Sequence, residues 1–373
     1  MKQFKYILFI SFILLGYAFN PHNHISGTTP GIKTNVDSSG KRPGIIPVAS
    51  PFTIEKVVNS SIALQGIAGY SKNGRPIEAF YFPGQSDKRA MVIGGVHGSE
   101  LSAIEVARTL VSQLLNEEIY YSVIVVPCLF PDNANTASLQ EAQIGNMANI
   151  GRYSYGEAAD PNRQMPSLGI PFDKSNPIDY AGRPIEKENQ LLLQLIQEFK
   201  PQRIINVHAI RTSENAGVYA DPRTDSKGMA YEFQSDSSLA VEMAIHIEEN
   251  NGSAPGNRLN RSRWPSGPTA LYHSDPAVAK PGEKQNRNLH GSKLPGNRGY
   301  GVSLGSWAAT AVQLPEDEAH NRPAIRLFTM EFPGNKRPSD YGGFQQQFIT
   351  TQRVDAYAAS IAKVFLAEKY VEE

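Results

Sequence analysis

The stretch Met91-Val92-Ile93-Gly94-Gly95-Val96-His97-Gly98-Ser99-Glu100 constrains the fold of this chain more than any other. A short apolar run that ends in glycines reads as a strand buried on both faces. Behind it, Leu101, Ile104, Leu110, Val111, Leu114 and Leu115 fall near one stripe at helical spacing, and Ser99 is placed to cap that helix. The unit recurs. A strand over Ser122–Val126 is followed much later by a helix carrying Leu191, Leu192, Leu195, Ile196 and Phe199, which Pro201 ends. A strand over Arg203–Val207, an apolar run over Ile325–Met330 and a last helix over Arg353–Tyr370 complete the series. Strands alternating with helices predict an α/β fold: a mixed, mostly parallel central sheet with helices on both faces. Two polar stretches, 131–183 and 211–300, interrupt the series and are rich in Gly, Pro, Asn and Arg. They follow strand ends, where open sheets of this kind place their ligands.

The first residues do not belong to that fold. Lys2 and Lys5 precede the nearly unbroken apolar run Ile7 to Leu15, and Gly16-Tyr17-Ala18 supplies small residues after it. Residues 1–19 therefore read as a secretory signal peptide, either cleaved or retained as an uncleaved anchor. The run is short of the roughly 20 apolar residues that a membrane span needs. Residues 20–50, rich in Asn, Gly, Pro, Ser and Thr, read as a flexible leader, and residues 51–373 as one catalytic domain. An exported, periplasmic or secreted protein is expected, with no membrane contact beyond the signal segment. Lysine plus arginine and aspartate plus glutamate both number 36, so the chain lacks the basic excess of a nucleic-acid binder. The single cysteine, Cys128, rules out an intrachain disulfide and reads as a buried strand thiol.

The chemistry gathers at the strand ends. His97 and Glu100 are three residues apart across a strand-to-helix turn, so both can aim at one point beyond the sheet. Imidazole and carboxylate are zinc ligands, although a glutamate there also complements the positive helix N-terminus. His208 ends the strand over Arg203–Val207 and would complete three protein ligands with one position open, the pattern of a catalytic site. Glu331 ends the last apolar run in Phe328-Thr329-Met330-Glu331-Phe332-Pro333-Gly334. A carboxylate in that place needs a partner or a task, and a general base beside a metal is one such task.

This order of motifs resembles the zinc metallocarboxypeptidase family. Asp160-Pro161-Asn162-Arg163 resembles its Asp-x-Asn-Arg segment. Tyr300-Gly301-Val302-Ser303-Leu304-Gly305-Ser306-Trp307-Ala308 and the wording Gly-Val-His-Gly-x-Glu resemble the bacterial murein-peptide amidases within the family. The resemblance spans about residues 55–365 and implies a carboxypeptidase that hydrolyses an amide bond beside a free carboxylate, in a peptide or a muropeptide. It implies one zinc ion on His97, Glu100 and His208, with Asp160 orienting His97 and Glu331 moving the proton. It further implies that Asn162 and Arg163 grip the substrate carboxylate, Arg152 meets the developing oxyanion and Tyr300 closes over the substrate. Two departures bear on side-chain specificity: Gln164-Met165 follows Asn162-Arg163 where the family has Asn-Phe, and Asn206 stands where an aspartate is usual. Arg183 and Arg211 lie in the same loops and read as solvated.

Three other readings compete. Gly301-Val302-Ser303-Leu304-Gly305, with Glu316, Asp317 and His320 downstream, fits a serine-hydrolase elbow, but the Pro and Gly before it oppose the strand that the elbow requires. A zinc amidohydrolase of small N-acyl amino acids, like succinylglutamate desuccinylase or aspartoacylase, shares the His-Gly-x-Glu motif and the strand-end histidine. A degenerate ligand-binding member of the fold would have no need of Glu331.

Overall fold

The unbroken apolar runs mark strands with no solvent-facing side. The computed structural model describes residues 45–47, 52–154, 158–232, 234–257 and 297–369, all within the unit spanning residues 34–373. The expected signal segment and most of the leader lie outside the described residues. In chain order the elements are β1 (Ile46–Pro47), α1 (Ile54–Val57), β2 (Leu64–Tyr70), β3 (Pro76–Phe82), β4 (Arg89–Ile93), α2 (Leu101–Leu114), β5 (Ser122–Val126), α3 (Pro131–Ser138), α4 (Lys187–Phe199) and β6 (Arg203–Ile210). There follow β7 (Gly217–Ala220), β8 (Arg223–Thr224), β9 (Ala230–Glu232), α5 (Gln234–Glu249), α6 (Leu304–Ala308), β10 (Arg326–Pro333) and α7 (Phe344–Ser360). Among the described residues no helix is long and apolar enough to cross a membrane.

Eight strands form one sheet in the order β1-β2-β3-β5-β4-β6-β10-β7. The four central strands β5, β4, β6 and β10 run parallel, and antiparallel pairings join β2 to β3, β3 to β5 and β10 to β7. The sheet is mixed and mostly parallel, as the alternation predicts. Side chains alternate between faces along each strand. Ala90 and Val92 pack with Ala103, Val106, Leu239, Met243, Tyr357 and Ile361 of α2, α5, α7 and the turn after α7. Met91 and Ile93 pack on the other face with Leu192, Leu195, Ile196 and Trp307 of α4 and α6.

Some boundaries differ from the sequence reading. The end of the leader pairs with the sheet edge, Ile46 opposite Leu64. The last helix begins at Phe344, well before Arg353. Phe344 and Phe348 are exposed there, so these first turns have no buried stripe that a pattern could reveal. The polar stretch 211–300 contains β7 and the whole of α5, whose Leu239, Met243, Ala244 and Ile247 are fully buried. Cys128 lies beyond β5 and is half-buried. Pro127, which has no N–H for the ladder, follows the strand's last residue. Burial pushes the Cys128 thiol up to about 12.

Buried arginines lock the amino edge of the sheet. Arg203 and Arg326 start β6 and β10 as register partners. Arg203 donates to the Tyr121 hydroxyl at 2.6 Å and to the Phe365 carbonyl at 2.7 Å, a carbonyl of the π-helical turn Ile361–Phe365. Asp236, fully buried, accepts from Arg223 at 2.8 Å and Arg326 at 2.5 Å. Removing one partner of a buried ion pair leaves the rest without compensation and costs about 3–5 kcal/mol. Asp236→Ala is therefore expected to lose about 3 kcal/mol or more in urea unfolding, whereas substitution of an exposed, unpaired charge is expected to change stability by no more than about 0.5 kcal/mol.

Candidate metal centre

Backbone crowding fixes the first two candidate ligands. Gly95 takes φ +66°, and a Cβ there would lie 2.9 Å from Cys128 Cα. A Cβ on Gly98 would lie 2.3 Å from the backbone carbon of Asn133 and 2.4 Å from the Gly151 oxygen. Glycine at both positions lets the chain leave β4 and turn into α2 tightly enough to bury His97 and Glu100. Glu100, not Ser99, stands at the helix N-cap and makes no capping bond. Its carboxylate turns instead to the site. Oε1 lies 2.8 Å from His97 Nδ1 and accepts from Arg152 Nη1 at 2.6 Å. Oε2 lies 2.9 Å from His208 Nδ1 and accepts from the Ala209 N–H at 3.1 Å.

One ligand atom each from His97, Glu100 and His208 falls within 4.8 Å of the others, and all three residues are buried. Asp160 Oδ1 sits 2.9 Å from His97 Nε2. That contact favours a proton on Nε2, which makes Nδ1, on the Glu100 side of the ring, the atom that would coordinate a metal. Burial is the largest influence on His97 and acts to lower its pKa, but Glu100 and Asp160 reverse it to about 9. Burial likewise acts to raise Glu100, yet His97 and His208 hold its carboxyl well below the usual range. The cluster thus stabilises positive charge at its centre. Two imidazole nitrogens and a carboxylate oxygen suit zinc, and three protein ligands match a catalytic coordination.

Glu331 is the register partner of His208 on the neighbouring strand, so the two side chains project from the same face. Burial lifts its carboxyl above the ordinary value; His208 opposes this and Glu100 adds to it. His97, Glu100, His208, Glu331, Arg152, Asn162 and Arg163 all line one cleft of about 720 Å³. The Asp-Pro-Asn-Arg segment forms a turn in which Asp160 also accepts the Asn162 N–H at 2.8 Å. Asn162 Oδ1 accepts the Leu304 N–H at 3.1 Å, which leaves its NH₂ as the group available to donate into the cleft.

Tyr300 is not among the residues that line the cleft. Its ring lies 6.1 Å from that of Tyr180. Arg183, expected to be solvated, is a clamp: Nε donates to Asp179 at 2.7 Å, and Nη2 donates to the Arg163 carbonyl at 2.9 Å and the Tyr300 carbonyl at 2.7 Å. Arg211 is exposed and lines the cleft. Ser303 forms no nucleophile elbow. It caps α6 by accepting the Ser306 N–H at 3.1 Å, and a turn precedes it with only a single bridge from Val302 to Met165. His320 pairs with Asp317 on the surface at 2.7 Å.

Sequence reasoning missed Tyr153, Arg298 and Asn335. The Tyr153 hydroxyl lies 3.3 Å from Asp160 Oδ2 and accepts from Arg152 Nε at 3.2 Å. Asn335 lines the cleft with a buried Oδ1 that has no hydrogen-bond partner among the described residues. All three sit in irregular segments without periodicity, where nothing in the local sequence sets them apart.

No protein-family profile matches the sequence, and no curated protein matches it. Solved structures do match in fold. The murein-tripeptide amidase MpaA from Escherichia coli O157 is 15% identical, with 81% of this chain and 96% of that one covered and a TM-score of 0.36. Carboxypeptidase A from Helicoverpa armigera is 13% identical, with 81% and 69% covered and a TM-score of 0.42. A Shewanella frigidimarina protein described as a succinylglutamate desuccinylase/aspartoacylase is 10% identical, with 83% and 73% covered and a TM-score of 0.42. The likeness is one of chain path, and the chemistry of the site rests on its own residues.

Metal uptake should be linked to pH. With His97 near pKa 9, neutral solution leaves a proton that an incoming cation must displace. Zinc affinity is expected to rise with pH up to about 9 and then level off. Calorimetry in buffers of different ionisation enthalpy is expected to show proton release on zinc binding at pH 7. Asp160→Asn is expected to weaken zinc binding by about 10–100-fold.

Proposed function

We propose that the protein is an exported, zinc-dependent carboxypeptidase that hydrolyses an amide bond beside a free carboxylate in short peptides, among them cell-wall peptides containing diaminopimelate. The observation that carries this reading is the convergence of His97, Glu100 and His208, with Glu331 beside His208 in register. The signal segment expected from the sequence and the amidase-like wording around His97 and Tyr300 support the cell-wall substrate. The cleft of about 720 Å³ has room for several residues of peptide, which favours a peptide over a small N-acyl amino acid.

One zinc ion held by His97, Glu100 and His208 would supply Lewis acidity at the scissile carbonyl. The chain's own groups do the rest. Arg163 meets the substrate carboxylate with a planar guanidinium that can bond it bidentately, and the Asn162 NH₂ donates to the same group. Glu331 accepts a proton from the attacking water and delivers it to the leaving amine nitrogen. Its raised pKa suits a carboxylate that must hold that proton between two steps. Arg152 donates to the oxygen on which charge develops, and its contacts with Glu100 and Tyr153 hold it in place beforehand. Tyr300 closes over bound substrate after leaving its place beside Tyr180.

The test has two readouts. Bound zinc is measured, and chelator-sensitive release of terminal residues is followed on a peptide panel that includes muropeptides. Glu331→Gln is expected to keep the metal and lose about 10³-fold or more in turnover, since a positioned general base contributes about 10²–10⁴. Unchanged turnover in that variant removes Glu331 from the mechanism. Activity that survives zinc removal ends the metallopeptidase reading.

A further inference from the structure

The cleft holds more cationic groups than the reaction accounts for. Four guanidinium groups line it, those of Arg152, Arg163, Arg211 and Arg298. Arg152 is ion-paired with Glu100. Among the described residues the Arg163 guanidinium donates to the Asn162 carbonyl and is ion-paired with no carboxylate. Arg298 donates to the Ala158 carbonyl at 2.7 Å and the Ser154 carbonyl at 3.3 Å, and its guanidinium lies 4.7 Å from the centre of the Tyr153 ring. Its own carbonyl accepts the Asp160 N–H at 2.8 Å. Arg298 is thus fixed against the same loop that carries Asn162 and Arg163. Arg211 follows the last residue of β6, three positions after His208, and is exposed. Among the described residues neither Arg211 nor Arg298 is ion-paired with a carboxylate. The acids lining the cleft are Glu100, Asp160 and Glu331, all of them committed to the His97–His208 cluster or facing it.

A monocarboxylate peptide would use Arg163 and Asn162 and leave two arginines facing solvent. A guanidinium held by two carbonyls and stacked on an aromatic ring is preorganised, so little entropy is lost when a carboxylate meets it. We propose that Arg298 and Arg211 read a second carboxylate on the substrate, within one residue of the scissile amide, and that the enzyme prefers acidic peptides. This rests on the peptidase reading and adds the class of side chain that the site selects.

The test compares tri-alanine peptides that carry glutamate, glutamine or lysine at the last or the penultimate position. Glutamate and glutamine differ in charge with nearly the same shape. The wild type is expected to favour glutamate over glutamine by about tenfold or more in kcat/KM, at one of the two positions. In Arg298→Gln and in Arg211→Gln that ratio is expected to fall toward one, with release from the glutamine peptide unchanged within about threefold. Arg211 is exposed and makes no hydrogen bond among the described residues, so its variant reports specificity even if Arg298→Gln disturbs the loop. Equal or faster release from glutamine or lysine peptides overturns the proposal, as does a glutamate preference that persists in both variants. If no peptide is cleaved, binding of the same peptides to Glu331→Gln decides. Tighter binding of glutamate that is lost in the arginine variants upholds the second-carboxylate site, and the muropeptide panel then decides the peptidase reading separately. Equal binding of glutamate and glutamine overturns the site.

Discussion

One carboxylate holds the site together. Glu100 lies between the imidazoles of His97 and His208, takes a third contact from Arg152 and a fourth from the Ala209 backbone. These groups come from the end of β4, the start of α2, the end of β6 and the loop around residue 152. Burying so much charge is tolerable only because each group faces an opposite one. A divalent cation among the three donors would complete that balance, and the field of Glu100 and Asp160 that would favour it also raises the His97 pKa.

The parts legible in the sequence were those governed by short-range rules. Strand β5 was read to the residue, because a run of β-branched residues buried on both faces has no other comfortable state. The meeting of His97, Glu100 and His208 was legible because strand ends at one edge of a parallel sheet bring distant residues to one place. Asp160 was found through its neighbours Asn162 and Arg163, and its contact with His97 is the one expected of it. What escaped notice depends on long-range contacts. Arg298 gains its role from Tyr153 and from carbonyls of a loop far away in the chain, and a single arginine among glycines and prolines carries no sign of that. Arg183 looked solvated for the same reason: its partners are backbone carbonyls, which every residue has. Helix α5 buries Asp236 and Ser237 along with Leu239, Ala240, Val241, Met243, Ala244 and Ile247, so its inner face mixes polar with apolar residues and its limits are not marked by a clean stripe.

Stability and chemistry occupy opposite edges of the sheet. At the amino edge, Arg203, Arg223 and Arg326 are sealed among Tyr121, Asp236 and the carbonyls of the closing turn. At the carboxyl edge, His97, His208 and Glu331 face a cleft large enough for ligand. Register links the two edges. Arg203 opposes Arg326 at one end of the pair β6–β10, and His208 opposes Glu331 at the other. A slip of one residue in that pairing would turn Glu331 to the face of the sheet away from His208.

The contacts of Arg183 and Asn162 have a mechanical consequence. Arg183 ties the Arg163 carbonyl to that of Tyr300, and Asn162 receives the Leu304 backbone N–H just beyond it. The segment that bears Tyr300 and the segment that bears Asn162 and Arg163 are therefore tied through side chains that bond to backbone, so a displacement of either backbone is passed to the other.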